Sequence, residues 1–174
     1  MRTLNVLLVT ALLGTATLAT GCWEKRVKHL SAVEFDHYYA LRPFMNEGQK
    51  KTYLKLKTEE ERNAYLQELG LWDRFYKYES DVRDQIVAGD VQVGWTKDMV
   101  LMAWGAPFDK QKLVGREATR SERLVYRFEV HEGGTLIVWE PNSKTEYKAQ
   151  RLIQRDLMLD DDVVMEIVQR DRWE

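Results

Sequence analysis

Three kinds of side chain in this sequence could take part in covalent, metal-binding or acid–base chemistry: a lone thiol, a few imidazoles and many carboxylates. The chain has one cysteine, Cys22, and three histidines. If His29 and His37 share a helix, a rise of about 1.5 Å per residue separates them by about 12 Å, too far to hold one metal ion between them. His131 stands beside Glu132 in a stretch typical of an exposed hairpin turn. The histidines therefore do not predict a metal centre.

The carboxylates do not indicate a catalytic site either. The run Asp160–Asp162 lacks the spacing and the glycine of a calcium-binding loop and is typical of a solvated turn. The sequence contains no Gly-x-Ser-x-Gly motif and no phosphate-binding loop. Two carboxylates could act as acid and base, but no spacing selects one pair. We therefore expect a protein that is not an enzyme and that binds no cofactor or metal, with a cryptic hydrolase as the alternative.

The residues before Cys22 predict how its thiol is used. Met1 and Arg2 carry positive charge, and the apolar stretch Leu4–Ala19 contains no ionised side chain, as in a secretory signal peptide. This stretch is shorter than the roughly 20 residues of a transmembrane helix. Cleavage is therefore the favoured interpretation, and we expect residues 1–21 to be a signal peptide.

Gly21, directly before Cys22, resembles the bacterial lipobox, in which the cysteine is diacylated and becomes the new N-terminus. A lone cysteine cannot form an internal disulfide, which also favours acylation in an extracytoplasmic protein. Residues 22–30 would then be an acylated tether to the membrane. Trp23 is not the aspartate that retains proteobacterial lipoproteins at the inner membrane, so the resemblance implies the periplasmic face of the outer membrane. A soluble secreted protein cut near Gly21 and an uncleaved anchor are the alternatives.

About 150 residues remain after the signal peptide, enough for one domain with a hydrophobic core. Hydrophobic residues make up 44 % of the chain, which includes six tryptophans and eight tyrosines, as in a folded body. The formal net charge is −2, and acidic and basic residues are interleaved. This pattern does not favour binding to nucleic acid or electrostatic attraction to an anionic lipid surface. We expect one compact body with a helical region, 31–92, and a helix plus sheet, 93–174.

The first helix of the body is predicted from a capping box. Ser31 and Glu34 have the spacing in which each side chain bonds the other residue's backbone, and Pro43 ends the helical pattern. Apolar residues between them recur at intervals that suit one helix face. The residues that we expect on this buried face are Val33, Phe35, Tyr38 and Tyr39.

Two further helices are predicted around Gly70. Thr58 and Glu61 form a second capping box, and Gly70 supplies a left-handed stop. The range Leu71–Ala88 then has the apolar period of a single amphipathic helix closed by Gly89. We expect its apolar stripe to lie in the core, with a ligand-binding face as the alternative. The stripe consists of Trp72, Phe75, Tyr78, Val82 and Ile86.

The second half of the chain changes to the period of β-strands. The stretch "RLVYRFEV" alternates between apolar and polar residues, and Gly133 and Gly134 mark a hairpin to "TLIVWE". A long strand after residue 145 turns at Asp160–Asp162 into "VVMEIVQR". We therefore predict an α+β fold, with N-terminal helices packed on one face of an antiparallel meander of about four strands.

A short apolar helix is predicted between the two halves. Thr96 can cap it, Gly105 can end it, and Pro107 prevents it from resuming. Since nearly all of its residues are apolar, this helix must be buried on most sides. The stretch resembles the Gly-Met-Thr-x-x-x-Val-x-x-x-(Leu/aromatic)-Gly-x-Pro pattern of the SmpA/OmlA (BamE) family, small outer-membrane lipoproteins of the β-barrel assembly machinery. The matching residues are Gly94, Thr96, Val100, Trp104, Gly105 and Pro107, with Trp95 where methionine is usual and Tyr126 at an aromatic position of the next strand.

The preceding stretch "YLKLKTEEERNAYLQELGLWDRF", followed later by Gly94, Trp95 and "WGAP", is also similar to GWxTD-domain proteins. In those proteins a helical segment rich in glutamate and arginine precedes a Gly-x-Pro turn. Here the order is Gly94, Trp95, Thr96, Lys97 and Asp98. The first resemblance covers roughly residues 80–170 and implies short helices followed by an antiparallel sheet. Neither pattern is a catalytic motif.

These features predict an envelope protein that acts through contact. Its expected partners are the membrane, through the acylated Cys22, and other envelope proteins. The resemblance implies a role in outer-membrane protein assembly or envelope integrity, and a small-molecule or lipid-binding lipoprotein is the alternative. Trp95 would anchor an interface if exposed and would belong to the core if buried. Four arginines would form a basic stripe across one sheet face if neighbouring strands align. They are Arg123, Arg127, Arg151 and Arg155.

Overall fold

The computed structural model describes residues 26–139 and 149–171, with helices first and an antiparallel sheet after them. The helices with bounds in these ranges are α1 Ala32–Leu41, α2 Glu47–Tyr53, α3 Glu59–Glu68, α4 Leu71–Tyr76, α5 Ser80–Ala88 and α6 Lys97–Trp104. The strands are β1 Asp109–Leu113, β2 Ser121–Val130, β3 Leu136–Val138, β4 Arg151–Asp160 and β5 Val163–Arg170. The predicted α+β class is confirmed.

Side-chain caps start the helices where the sequence predicts them. Ser31 caps α1 and Thr58 caps α3, each in a complete capping box. The predicted single helix over Leu71–Ala88 is wrong, because α4 and α5 are separate helices. Between them Glu79 has an extended backbone, and Arg83 Nη1 donates a hydrogen bond of 2.5 Å to the carbonyl of Tyr78. This bond satisfies a carbonyl that a continuous helix would have used in its own ladder.

The buried face of α1 differs from the predicted one. Tyr38 is buried as expected, but Val33, Phe35 and Tyr39 are exposed. Glu34 and His37 take their places in the interior, together with two apolar residues, Ala40 and Leu41. The reason is a partner far along the chain: Arg62 of α3 forms a buried ion pair with Glu34, so that the polar side of α1 faces inward.

The sheet is built around β2. Its order is β1-β2-β4-β5, and β3 also pairs with β2. All neighbouring strands are antiparallel, and the predicted hairpin between β2 and β3 is present. β4 pairs with β2 along its whole length, from Ser121↔Asp160 to Val130↔Arg151, whereas β3 is long enough to pair only with Phe128–Val130. β3 therefore shares the second edge of β2 with β1, a strand not predicted from sequence, instead of lying between β2 and β4 as in a simple meander.

The short helix α6 lies between the other helices and the sheet. Thr96 caps it, as predicted, and Met99, Val100, Met102 and Trp104 are buried. The Trp104 ring makes edge contacts with Tyr126 and Phe128 at centroid distances of 5.1 and 4.9 Å. Its Nε1–H donates a hydrogen bond of 2.8 Å to the carbonyl of Gly89. One aromatic side chain therefore joins α6, the end of α5 and the sheet.

Gly105 ends α6 in a backbone conformation with φ 76° and ψ −155°. This region is essentially restricted to glycine, because a Cβ atom there is strained. The carbonyl of Gly105 accepts a hydrogen bond of 3.0 Å from the hydroxyl of Tyr126. The glycine predicted as a helix stop therefore also fixes α6 to β2.

A single cluster of buried apolar residues contains members from the helices and the sheet. Val27 and Leu30 pack against this cluster. Both lie in the range 22–30, which was expected to be a tether. Part of that range therefore packs on the folded body, whereas Cys22 and range 1–21 lie outside the described residues.

Candidate functional site

Trp95, which the sequence placed either in an interface or in the core, belongs to the core, since only 7 % of it is exposed. The backbone of Gly94 and Trp95 is hydrogen-bonded to β5. Gly94 N–H donates to the carbonyl of Val164 at 2.7 Å, and Val164 N–H donates to the carbonyl of Trp95 at 2.8 Å. This pairing turns the indole inward. Of the two positions that the sequence left open for Trp95, the core is therefore the one observed, and the speculative interface role is not supported.

The predicted basic stripe is also wrong, because the four arginines lie on two faces of the sheet. In the β2–β4 register Arg155 is opposite Tyr126, and Arg151 is opposite Val130. Residues directly opposite each other share a face, and successive residues alternate. Arg151 and Arg155 therefore lie on the helix-covered side, whereas Arg123 and Arg127 lie on the other side.

Two of the arginines have partners inside the fold. Arg123 Nη2 lies 2.5 Å from a carboxylate oxygen of Asp156, which is fully buried, and Arg170 Nε lies 3.1 Å from the same oxygen. Arg155 lies over the rings of Trp104 and Phe128, 5.5 and 5.3 Å from their centroids. These contacts make Arg123 and Arg155 internal partners of the sheet rather than parts of a surface for an acidic protein.

The histidines do not converge. His37 is buried, with Nε2 2.7 Å from the hydroxyl of Tyr76, and burial lowers the pKa of its imidazole. His131 Nε2 lies 3.1 Å from a carboxylate oxygen of Glu129, and His29 is exposed. In ranges 26–139 and 149–171, no group of three or more histidine, cysteine or acidic side chains could hold a metal ion.

The acidic turn Asp160–Asp162 has a structural role. Asp161 and Asp162 have positive φ angles of 46° and 66°. Arg116 donates two hydrogen bonds to Asp160, of 2.8 and 2.7 Å, and these lower the pKa of that carboxyl. Asp161 accepts a backbone hydrogen bond of 2.9 Å from Arg120, so the turn is fastened to the β1–β2 connection.

A largely apolar groove lies between α1, α5, α6 and β3. Its volume is about 550 Å³. Phe35 and Tyr39 of α1 form one wall, with their ring centroids 4.2 Å apart. The large apolar side chains that line it and are roughly 40 % exposed are Phe35, Tyr39, Val87, Leu136 and Ile137. Exposed apolar side chains collected in one place, rather than scattered, indicate a binding surface.

The outer edge of β3 forms the opposite wall of the groove. His131 N–H donates to the carbonyl of Thr135, and Trp139 N–H donates to that of Arg127, so the hydrogen-bonded pairs with β2 fall on alternate residues. Between these two pairs, Ile137 is opposite Glu129 and forms the next hydrogen-bonded pair with β2. The N–H and C=O groups of its neighbours Leu136 and Val138 therefore point away from β2. Among described residues, β3 pairs with β2 alone.

One carboxylate lies in this apolar setting. Asp36 follows Phe35 in α1, is partly buried, and lines the groove. Burial raises the pKa of its carboxyl group, and the charge of the neighbouring His37 opposes the shift. No hydrogen-bond or ion-pair partner of Asp36 occurs among the described residues. Among the described residues that line the groove, the only other charged one is Arg42, whose guanidinium lies over the ring of Tyr39 at 4.4 Å.

No family model, curated protein or solved structure matches this chain. Among the described residues, no helix combines the length and hydrophobicity needed to cross a bilayer.

Sequence reasoning missed the groove because it placed Phe35 and Tyr39 in the core. The available signal was the spacing of Glu34, His37 and Leu41, which also defines a helix face. Two polar members made that face the less apolar choice. Its burial depends on Arg62, 28 residues from Glu34, which no local pattern reveals.

Proposed function

We propose that this protein is a membrane-anchored envelope lipoprotein that acts by contact with another envelope protein, and that the apolar groove is its contact site. The observation that carries the proposal is the collection of exposed apolar side chains from α1, α5 and β3 around one groove. Interfaces are anchored by aromatic and apolar side chains that become fully buried in the complex. Phe35 and Tyr39 are such side chains, held on a helix.

The resemblance to the SmpA/OmlA family supports a role in outer-membrane protein assembly or envelope integrity. The residues that carry it have a common structural basis in this chain: Thr96 starts a buried helix and Gly105 ends it against Tyr126. The lipobox-like Gly21 and Cys22 support an acyl anchor, and the outer membrane is the location that Trp23 favours.

A lipid or other small molecule is the alternative occupant. A volume of about 550 Å³ lies within the range of small-molecule sites, about 300–1,000 Å³, and the lining is largely apolar. A bound small molecule would be recovered by solvent extraction of the purified protein, whereas a protein partner would be recovered by co-purification.

We expect Cys22→Ser to abolish acylation and to leave the chain unprocessed or soluble. Without the thiol no thioether to a diacylglyceryl group can form, and stable anchoring needs two or more acyl chains. Metabolic labelling with a fatty-acid analogue, followed by membrane fractionation, measures both effects. Equal labelling of the wild type and the variant would contradict the anchor while leaving the groove untested by that experiment.

We expect the double substitution Phe35→Ser and Leu136→Ser to reduce recovery of an envelope partner by about ten-fold or more, since the loss of apolar interface anchors costs at least about 1–2 kcal/mol. Stability should change little because both side chains are already about 42 % exposed. Co-purification after crosslinking in intact cells measures recovery, and a thermal melt checks folding. Val93→Ser with Val114→Ser, two exposed valines outside the groove, is the matched control.

Undiminished recovery with the folded groove variant would contradict the proposed contact site. Loss of an extractable small molecule, with protein partners unchanged, would favour the alternative.

A further inference from the structure

We infer that the groove binds an extended apolar peptide segment bearing one cationic side chain, which adds as a strand to the outer edge of β3 and pairs its cation with Asp36. The inference rests on the proposed function and deepens it, because it states the conformation and charge of the partner segment. Three independent features of the groove carry it: the strand edge, the apolar walls and the carboxylate.

The strand edge explains why the bound segment is extended. The N–H and C=O groups of Leu136 and Val138, two residues that line the groove, point away from β2, and among the described residues no other strand pairs with them. Such groups on an open edge pair readily with another extended chain. A helix offers no free backbone groups in its middle and could not satisfy them.

The apolar walls explain which side chains the segment carries. Alternate side chains of a strand point to the same side, so every second residue of an added strand would face Phe35, Tyr39 and Val87. Burial of apolar surface stabilises such a complex by about 25 cal/mol per Å². The polar side chains of a polar segment would lose their hydrogen bonds to water on these apolar walls and would find no partners there.

The carboxylate explains the charge of the segment. Asp36 is partly desolvated in the groove and has no hydrogen-bond or ion-pair partner among the described residues. Covering the groove would remove more water from this carboxylate, which costs free energy unless the occupant brings a cation. A lysine or arginine side chain in the segment supplies one. A glutamate at the same place would add like-charge repulsion.

The test uses the purified mature chain, in a nanodisc of zwitterionic lipid if it carries acyl chains and in solution if it does not. The probes are blocked heptapeptides of alternating valine and threonine in which one lysine replaces each position in turn, and a matched set in which glutamate takes the place of lysine. Affinity is measured by isothermal titration, and hydrogen exchange of the Leu136 and Val138 amides reports pairing at the edge of β3.

We expect at least one lysine peptide to bind about ten-fold or more tightly than its glutamate counterpart, a difference of about 1.4 kcal/mol. Binding should slow exchange of the Leu136 and Val138 amides. Methylation of the alternate peptide nitrogens that face β3 should abolish binding of the peptide, since these nitrogens would no longer donate hydrogen bonds. Asp36→Asn, which keeps the side-chain shape, should remove the preference for lysine, and Asp36→Ser should do the same.

Asp84→Asn is the matched control, because Asp84 is an exposed acid of α5 that does not line the groove, and the preference for lysine should survive there. Equal binding of the lysine and glutamate sets overturns the inference, as does an unchanged preference in folded Asp36→Asn. Binding of neither set, together with groove-dependent binding to lipid vesicles or groove-dependent dimerisation, overturns it in favour of a bilayer or a second copy. The proposed function fails separately, through undiminished partner recovery with the Phe35→Ser and Leu136→Ser variant.

Discussion

Trp104→Ala should lower the free energy of unfolding by about 3–5 kcal/mol, the usual effect of truncating a buried tryptophan. Trp104 is 5 % exposed and contacts Tyr126 and Phe128 edge-on. The truncation leaves a cavity between α6 and the sheet, and the carbonyl of Gly89 loses its 2.8 Å hydrogen bond. Urea unfolding of the mature chain, followed by circular dichroism, measures the change.

Trp72→Ala is the control for this prediction. Trp72 is only partly buried at the margin of the core, so its truncation should destabilise the protein by a smaller amount. Unfolding curves of Trp104→Ala and the wild type that overlay would show that α6 is not packed on the sheet as described.

Arg62→Ala should also cost about 3–5 kcal/mol at neutral pH, because it leaves the carboxylate of Glu34 buried without its cation. The two side chains are 8 % and 6 % exposed. Arg62 also donates a hydrogen bond of 2.5 Å to the carbonyl of Leu56, which the truncation removes. Lys50→Ala is the control, because it breaks the exposed pair with Glu47 and should change stability by less than about 1 kcal/mol.

The pH dependence of stability separates loss of the ion pair from loss of packing. Burial acts to raise the pKa of Glu34, but the Ser31 N–H and the Arg62 guanidinium outweigh it, and the pKa lies below its ordinary value of 4.5. In the wild type this stabilisation is present above about pH 4.5 and is lost as the pH falls through the lower folded value. In Arg62→Ala the carboxyl group of Glu34 stays buried but has lost its cation, so burial favours its protonated form.

The stability difference between the wild type and Arg62→Ala should therefore shrink as the pH is lowered from neutrality to about 3.5. Urea unfolding at both pH values measures it. A difference that stays constant would mean that Arg62 stabilises the fold through packing alone.

Much of the local structure could be predicted because its causes lie within a few residues. The capping boxes at Ser31 and Thr58 need only a hydrogen-bonding side chain and an acid three residues later. The hairpin from β2 to β3 follows from alternation on both sides of Gly133 and Gly134. α6 begins at its threonine cap and ends at Gly105 for the same local reasons.

The placement of the candidate site could not be predicted in the same way. Phe35 and Tyr39 look like core residues in α1, and their exposure depends on the ion pair between Glu34 and Arg62, which joins two helices. Among the described residues the outer edge of β3 has no partner strand, because β4 pairs with β2 along its whole length, a choice of register between distant strands. Asp36 lies in an apolar groove only because the orientation of α1 and the strand register together place α1 and β3 on either side of it.

The sequence by itself therefore determined the class of fold, the ends of α1, α3 and α6, and the hairpin, since hydrogen bonds between near neighbours and the periods of helix and strand are encoded locally. The tertiary structure alone decided which side of α1 faces the core, where Trp95 points and how the four arginines divide. A shift of one residue in strand register moves a side chain to the opposite face, so that Arg155 lies across from Tyr126 and not across from Arg127. Such choices depend on the burial free energy of partners far apart in the chain, which no short stretch of sequence contains.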